Sequence, residues 1–241
     1  MAKRTREYIY GMNPAFEVIR AGKRHIYEAF LSQSASGQPR LKNLLRVIKR
    51  SNIDFHWEDP DRLTDLAGSR AHQGVVLKTR AYTYQSSALL WDRKRILLLD
   101  SVEDPHNVGG ILRSAEIFGF DTVFLANKSV PDIYPSVVKV SAGATEFLDI
   151  AKDDSAYGYT LEAKKRGFLI IALDEDGNTD ISDLNLKPSD KILVVVGGED
   201  LAVSQSILGK ADFIISIGQK GRIHSLNVAV AAGIAMYLLQ Y

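Results

Sequence analysis

"RILLLDSVEDPHNVGGILRSAEIFGFDTVFLAN", residues 95–127, holds a complete change of pattern and back again. "RILLLD" is a short, unbroken apolar run, which suits a strand covered on both faces. The polar and glycine-rich stretch after it leads into a helical period. With Ile111 set at zero, Ala115 and Phe118 fall within about 40° of it at 100° per residue, so one face is apolar. "TVFLAN" then returns to the strand pattern. Strand, helix and strand in that order predict parallel strands joined by a crossover.

The same alternation continues down the chain. "FLIIALD" (168–174), "KILVVVGGED" (191–200) and "DFIISIG" (212–218) are further candidate strands. "YPSVVKV" (134–140), "AYGYTLEAKKRG" (156–167) and "AVSQSILGKA" (202–211) are candidate crossovers. Upstream, shorter strand-like runs ("EYIY", "IYEAFL", "IDFHW", "GVVLKT") alternate with helical ones ("NPAFEVIRAG", "PRLKNLLRVIKRS", "PDRLTDLAG"). In the first of these helices Asn13 can cap, Pro14 suits the first turn and Gly22 can end it. In the second, Leu41, Leu44, Leu45 and Ile48 share a face, and Lys42, Arg46, Lys49 and Arg50 populate the other. "AYTYQSSALLWDRK" keeps no steady period and reads as a linker. The expected organisation is a small α/β domain over 1–80, a linker over 81–92 and a larger parallel-sheet α/β domain over 93–241.

Composition is that of an ordinary globular chain: 241 residues, 46% hydrophobic and 24% charged. Without cysteine there is neither a disulfide framework nor a Cys-based zinc site, and no His/Asp/Glu spacing suggests a metal. The basic start lacks the apolar core of a signal peptide, and no run reaches a membrane span, so a cytoplasmic protein is expected. The net charge of +1 conceals an asymmetry. Residues 1–80 carry 15 Lys/Arg against 8 Asp/Glu, or +7, leaving 15 against 21, or −6, for the rest. A basic block of this kind suggests a polyanionic partner such as RNA. Its phosphate contacts are expected from Arg40, Lys42, Arg46, Lys49 and Arg50. Tyr8, Tyr10, His72, Tyr82 and Tyr84 could stack on bases or could be core and turn material.

In an open α/β sheet, ligands bind beyond the carboxyl ends of the strands. Three such ends are rich in glycine and polar residues: "DSVEDPHNVGG" (100–110), "GGED" (197–200) and "GQKGRIHSLNVAVAAG" (218–233). None has the glycine spacing of a dinucleotide or P-loop site. Asn107 is expected to cap the helix that follows it, leaving Gly109 and Gly110 bare in the first turn. Arg113 lies about 200° from Ile111, turned away from the packing face, and close to a helix N-terminus where a cation is disfavoured. Ser225 is a good candidate cap for the last helix. Asn227 then falls inside the apolar run, where an unpaired amide would cost about 1–3 kcal/mol. The apolar segment 228–239 is expected to be buried on all sides.

"DPHNVGGILRSAEIFG", "GGED" after a valine run, and "GRIHSLNVAVAAGIA" resemble, in order and spacing, the three motifs of the SpoU or TrmH family of RNA ribose 2′-O-methyltransferases, in the SPOUT superfamily. "YGMNPAFEVIRAG" and "AHQGVVLKT" resemble the N-terminal substrate-binding domain of its longer members. The resemblance implies a trefoil knot, an exception to the rule against threading. It further implies S-adenosyl-L-methionine as methyl donor and a homodimer with active sites near the interface. Asn107, Arg113, Glu199, Ser225 and Asn227 match the family's polar site residues, and backbone around Gly197, Gly198, Ile217 and Leu226 would cradle the cofactor. The implied reaction is 2′-O-methylation of a ribose, with a guanosine of 23S-type large-subunit rRNA favoured over tRNA. A non-catalytic RNA-binding protein on the same fold is the rival. Two departures touch loops expected around the cofactor. Ala202 stands where the family usually has glycine, and Ile217, Gly218 and Gln219 replace the usual I-P-M.

Overall fold

The structure, a computed structural model, describes residues 5–199, 202–222 and 225–240, without the side chain of residue 182. Contacts divide the chain into two units, Met1–Thr83 with Ile133–Phe147, and Tyr84–Asp132 with Leu148–Tyr241. Among the described residues no helix is long and apolar enough to cross a membrane.

In the first unit, β1 (Arg6–Tyr10), α1 (Met12–Ala21), β2 (Ile26–Ser32), α2 (Pro39–Arg50), β3 (Phe55–Glu58), α3 (Pro60–Ala67) and β4 (Val75–Arg80) follow the expected alternation. The strands form one sheet in the order β1-β4-β2-β3, antiparallel except for the β2–β3 pair. Alternation along the strands gives it two apolar faces. Tyr10, Phe30 and Val76 pack with Leu63 of α3, whereas Ile9, Ala29, Leu31 and Leu77 are buried on the opposite face. Gly22 ends α1 in the left-handed conformation, as expected, but Asn13 does not cap it. Gly11 holds the cap position, and the free Met12 N–H donates instead to Gln73 Oε1 at 3.0 Å.

The second unit is built from β5 (Arg95–Leu99), α4 (Pro105–Ile117), β6 (Thr122–Leu125), β7 (Asp149–Ala151), α6 (Ala156–Lys165), β8 (Leu169–Leu173), β9 (Thr179–Asp180), β10 (Ile192–Val196), α7 (Gln205–Leu208), β11 (Phe213–Ser216) and α8 (Val228–Leu239). Helix α5 (Pro135–Val140) comes between β6 and β7 in sequence. The seven strands run in the order β7-β6-β5-β10-β8-β11-β9 and every pairing is parallel. Central β10 is buried at all five positions, which is why its sequence, ILVVV, shows no polar alternation. β7 and β9, three and two residues long, carry no such run and are not legible in the sequence.

The segment expected as the 134–140 crossover belongs instead to the first unit. There Glu146 Oε2 and Oε1 accept from Arg24 Nε and Nη2 at 2.8 and 2.7 Å, while Glu7 pairs with Nη1. All three side chains are buried. Gly143, at φ +92°, lies so close to α1 that an added Cβ would come within 2.7 Å of Glu17 Cβ. The conformation and the approach both require glycine there.

Candidate active site

Asn107, Glu199, Ser225 and Asn227 lie on the segments that follow the carboxyl ends of β5, β10 and β11, where a parallel sheet leaves its loops. The order of caps differs from expectation. Asp104, not Asn107, caps α4, its Oδ1 accepting from the His106 N–H at 2.8 Å. Asn107 therefore stands in the first turn, 8% exposed. At the other helix Asn227, not Ser225, is the cap: its Oδ1 accepts from the N–H groups of Ala229 and Val230 at 3.0 and 3.3 Å. Asn227 is exposed rather than buried, because α8 begins one residue after it.

The same amide then ties three motifs together. Asn227 Nδ2 donates to Asn107 Oδ1 and to Glu199 Oε1, each at 2.9 Å. Its acceptor side is committed to the helix, so its orientation is fixed from both ends. Residues 107, 199 and 227 thus meet although they lie on three separate segments.

Two hollows flank this bridge. The larger, about 450 Å³, is lined by Gly197, Gly198, Ile217 and Leu226, the four positions expected to cradle a cofactor, and by Ser225, Glu199 and Asn227. Leu173, Asp174 and Glu175 at the end of β8 line it too, and sequence reading passed over them. The only available signal was an acidic pair following an apolar strand. The smaller hollow, about 280 Å³, is lined by Ser101, Glu103, Asp104 and Asn107. Glu199 and Val228 border both. Ala202 and Gln219, the two departures, face the larger hollow, where Gly197 admits the Ala202–Val203 backbone so closely that a Cβ would meet Val203 N at 2.4 Å.

The larger hollow has the volume of a small-molecule site. Its carboxylates favour a ligand with positive charge, and its bare glycine backbone admits a group close to the main chain. S-adenosylmethionine, with a sulfonium and an ammonium, fits that donor set.

Arg113 is not brought into this group. It is exposed, and among the described residues nothing pairs with its guanidinium. It stands eight residues after Pro105, beyond the first turn of α4, so the expected conflict with the helix N-terminus does not arise. Nor is Gly110 bare for a ligand, since its missing Cβ leaves room for Ala229 of α8, which would lie 3.1 Å away. Helix α8 is not buried on every side either. Val230, Tyr237 and Leu238 on it are 45–54% exposed, Leu226 just before it is 42% exposed, and Ile117 at the end of α4 is 61% exposed.

In the first unit Arg40, Lys42, Arg46, Lys49 and Arg50 are all exposed on α2. Tyr10 and His72 are buried. His72 is turn material: its Nδ1 accepts from Gly74 N–H at 3.1 Å. Burial and nearby Lys139 hold it below the usual histidine range.

Comparison with known proteins places both parts of the chain in a family. The SpoU rRNA methylase family profile matches residues 94–237, and the profile for RNA 2′-O ribose methyltransferase substrate binding matches residues 8–85. A TrmH family tRNA/rRNA methyltransferase of Staphylococcus aureus is 30% identical over 95% of this chain and 93% of its own length. Its counterpart from Bacillus subtilis is 26% identical over 96% and 94%. Among solved structures, the SpoU methyltransferase AviRb from Streptomyces viridochromogenes, in complex with AdoMet, covers 98% of this chain and 89% of its own, with a TM-score of 0.77 at 22% identity. At that identity the likeness speaks for the fold alone. With both profiles and near-full-length relatives in agreement, this chain belongs to the SpoU family of RNA methylases and carries that family's substrate-binding domain ahead of its methylase domain.

Proposed function

We propose that this protein transfers a methyl group from S-adenosylmethionine to a ribose 2′-hydroxyl of cytoplasmic RNA, with a guanosine of large-subunit rRNA as target. The observation that carries this reading is the Asn107–Asn227–Glu199 bridge standing between a cofactor-sized hollow and a second, smaller one. The bound cofactor supplies an electrophilic methyl on a sulfonium. The chain has to bring the hydroxyl in line with it and manage a proton. Orientation of this kind can account for up to ~7–11 kcal/mol of barrier reduction.

Gly197, Gly198, Ile217 and Leu226 hold the cofactor, and Asp174 and Glu175 favour its positive charge. The nucleotide enters the smaller hollow, where Asn107 and Glu199 present polar atoms to the ribose and Ser225 steadies it from the cofactor side. Arg113 stays protonated, as guanidinium does in proteins, and grips the adjoining phosphate with its fork of donors.

Arg113 reaches this position in a homodimer. Val230 and Tyr237 lie two turns apart on α8, Leu226 just precedes that helix, and Tyr237 meets the ring of Phe118, the neighbour of exposed Ile117 at the end of α4. A patch of this kind on a globular chain suits a protein interface. Burying it against a second copy carries Arg113 to the interface. The trefoil knot belongs to the same reading.

Equilibrium dialysis with S-adenosylmethionine, followed by labelled methyl transfer to rRNA and tRNA fractions, tests it. Binding with label in large rRNA supports the reading. Label confined to tRNA corrects the substrate, and a folded protein that binds no cofactor at millimolar concentration is a non-catalytic RNA binder.

A further inference from the structure

The two edges of the first unit's sheet are treated differently. Helix α5 packs along β1, whereas β3, at the other edge, leaves Trp57 40% exposed. Its indole offers a flat apolar face with a polar edge to a partner. Phe55 shares its face two residues earlier and meets it edge-to-face, ring centres 6.2 Å apart at 90°. Lys49 of α2 brings its ammonium to 5.6 Å from the Phe55 ring centre.

Helix geometry extends that cation–ring pair into a stripe. Lys42, Arg46 and Lys49 recur at i, i+4 and i+7, so they lie along one side of α2. Arg40 points to the other side and bonds Asn13 of α1. The stripe therefore runs beside the edge strand rather than along α1. On the opposite face of the sheet Glu28 of β2 pairs with Lys78 of β4 at 2.6 Å and lies 3.8 Å from His56 Nε2 of β3.

We propose that Trp57, supported by Phe55 and flanked by Lys42, Arg46 and Lys49, is a stacking site for an unpaired nucleotide of single-stranded RNA. This rests on the RNA-methylating reading and names a contact that the first unit makes with the substrate. An aromatic face accepts any base, and a row of cations beside it follows the backbone phosphates. A duplex buries its bases and cannot use the ring.

The full-length protein is titrated with a mixed-sequence single-stranded oligoribonucleotide, and with the same strand annealed to its complement. The only other tryptophan, Trp91, is 6% exposed and packs against Phe124 and Phe168, so quenching reports on Trp57. Single strand should quench and duplex should not. W57A should weaken binding on the order of tenfold or more, W57F should retain most of it, and both should melt with the wild type. K42E with R46E should lower the slope of log K against log salt by roughly 0.7 for each phosphate no longer neutralised. In methyl transfer, W57A should raise KM for RNA. Unchanged RNA affinity and KM in W57A overturn the inference while leaving the methylase reading intact. So does conversion of a dimer to a monomer in W57A, which makes this face an interface between copies. A wild-type protein that stacks single-stranded RNA on Trp57 yet methylates none overturns the enzyme reading alone.

Discussion

Asn227 and Asn107, 120 residues apart, are joined by a 2.9 Å hydrogen bond between their side-chain amides. The bond locks the cap of α8 to the first turn of α4, and through Asn227 it extends to Glu199. Capping and site assembly are therefore separable functions of one side chain. Asn227→Ser keeps a cap acceptor but loses the long donor arm. Asn227→Ala loses both. Only the alanine variant should lose about 1 kcal/mol of stability for the missing cap, while methyl transfer should fall about a hundredfold in both, as expected for a misplaced reacting geometry. Thermal melting beside steady-state transfer checks the split.

Arg113 is exposed and, among the described residues, unpaired, so its replacement should change stability by no more than about 0.5 kcal/mol. Transfer should nevertheless drop at least tenfold in Arg113→Lys and further in Arg113→Ala, because lysine keeps the charge and loses the fork. Near-normal turnover in the lysine variant removes the bidentate role.

Val230 and Tyr237 are about half exposed in the single chain, so V230D and Y237E cost a monomer little and a dimer much. Sedimentation should find these variants monomeric and folded, with methyl transfer reduced at least tenfold. A dimer that persists in both variants places the interface elsewhere.

Arg24 holds two buried carboxylates, Glu7 and Glu146. Arg24→Met leaves both unpaired and should destabilise the first unit by about 3–5 kcal/mol. Glu7 also carries a pH signature. Burial raises its folded-state proton affinity above the ordinary carboxylate value, against the lowering influence of Arg24. The native state then binds the proton more tightly than the unfolded chain. Stability should therefore gain as pH falls through the range just above the ordinary value of 4.5, relative to E7Q. Parallel denaturant titrations of wild type and E7Q between neutral and mildly acidic pH should show this difference, and a gap constant with pH contradicts it.

Much of the fold is legible because its local signals agree. Ile96–Leu99, Thr122–Leu125 and Ile192–Val196 are buried stretches of parallel strand, and they look so in sequence. What escapes depends on distant partners. "YPSVVKV" is helical as read, but its place in the first unit is fixed by Glu146 meeting Arg24, 122 residues away. The candidate site is legible as a set of residues and not as a set of roles. Ser225 looks like the cap and Asn227 like a buried misfit because the start of α8 cannot be fixed to two residues by pattern alone. Asp174 and Glu175 face the hollow only because β8 lies between β10 and β11. That is a fact of sheet order, which local sequence does not carry.

The most direct test of the account is methyl transfer from labelled S-adenosylmethionine to unmodified total RNA, followed by digestion to nucleosides. The account predicts label in a 2′-O-methylnucleoside, lost in Asn227→Ala. Label in a base-methylated nucleoside, or a folded, cofactor-binding protein that labels no RNA, would contradict it.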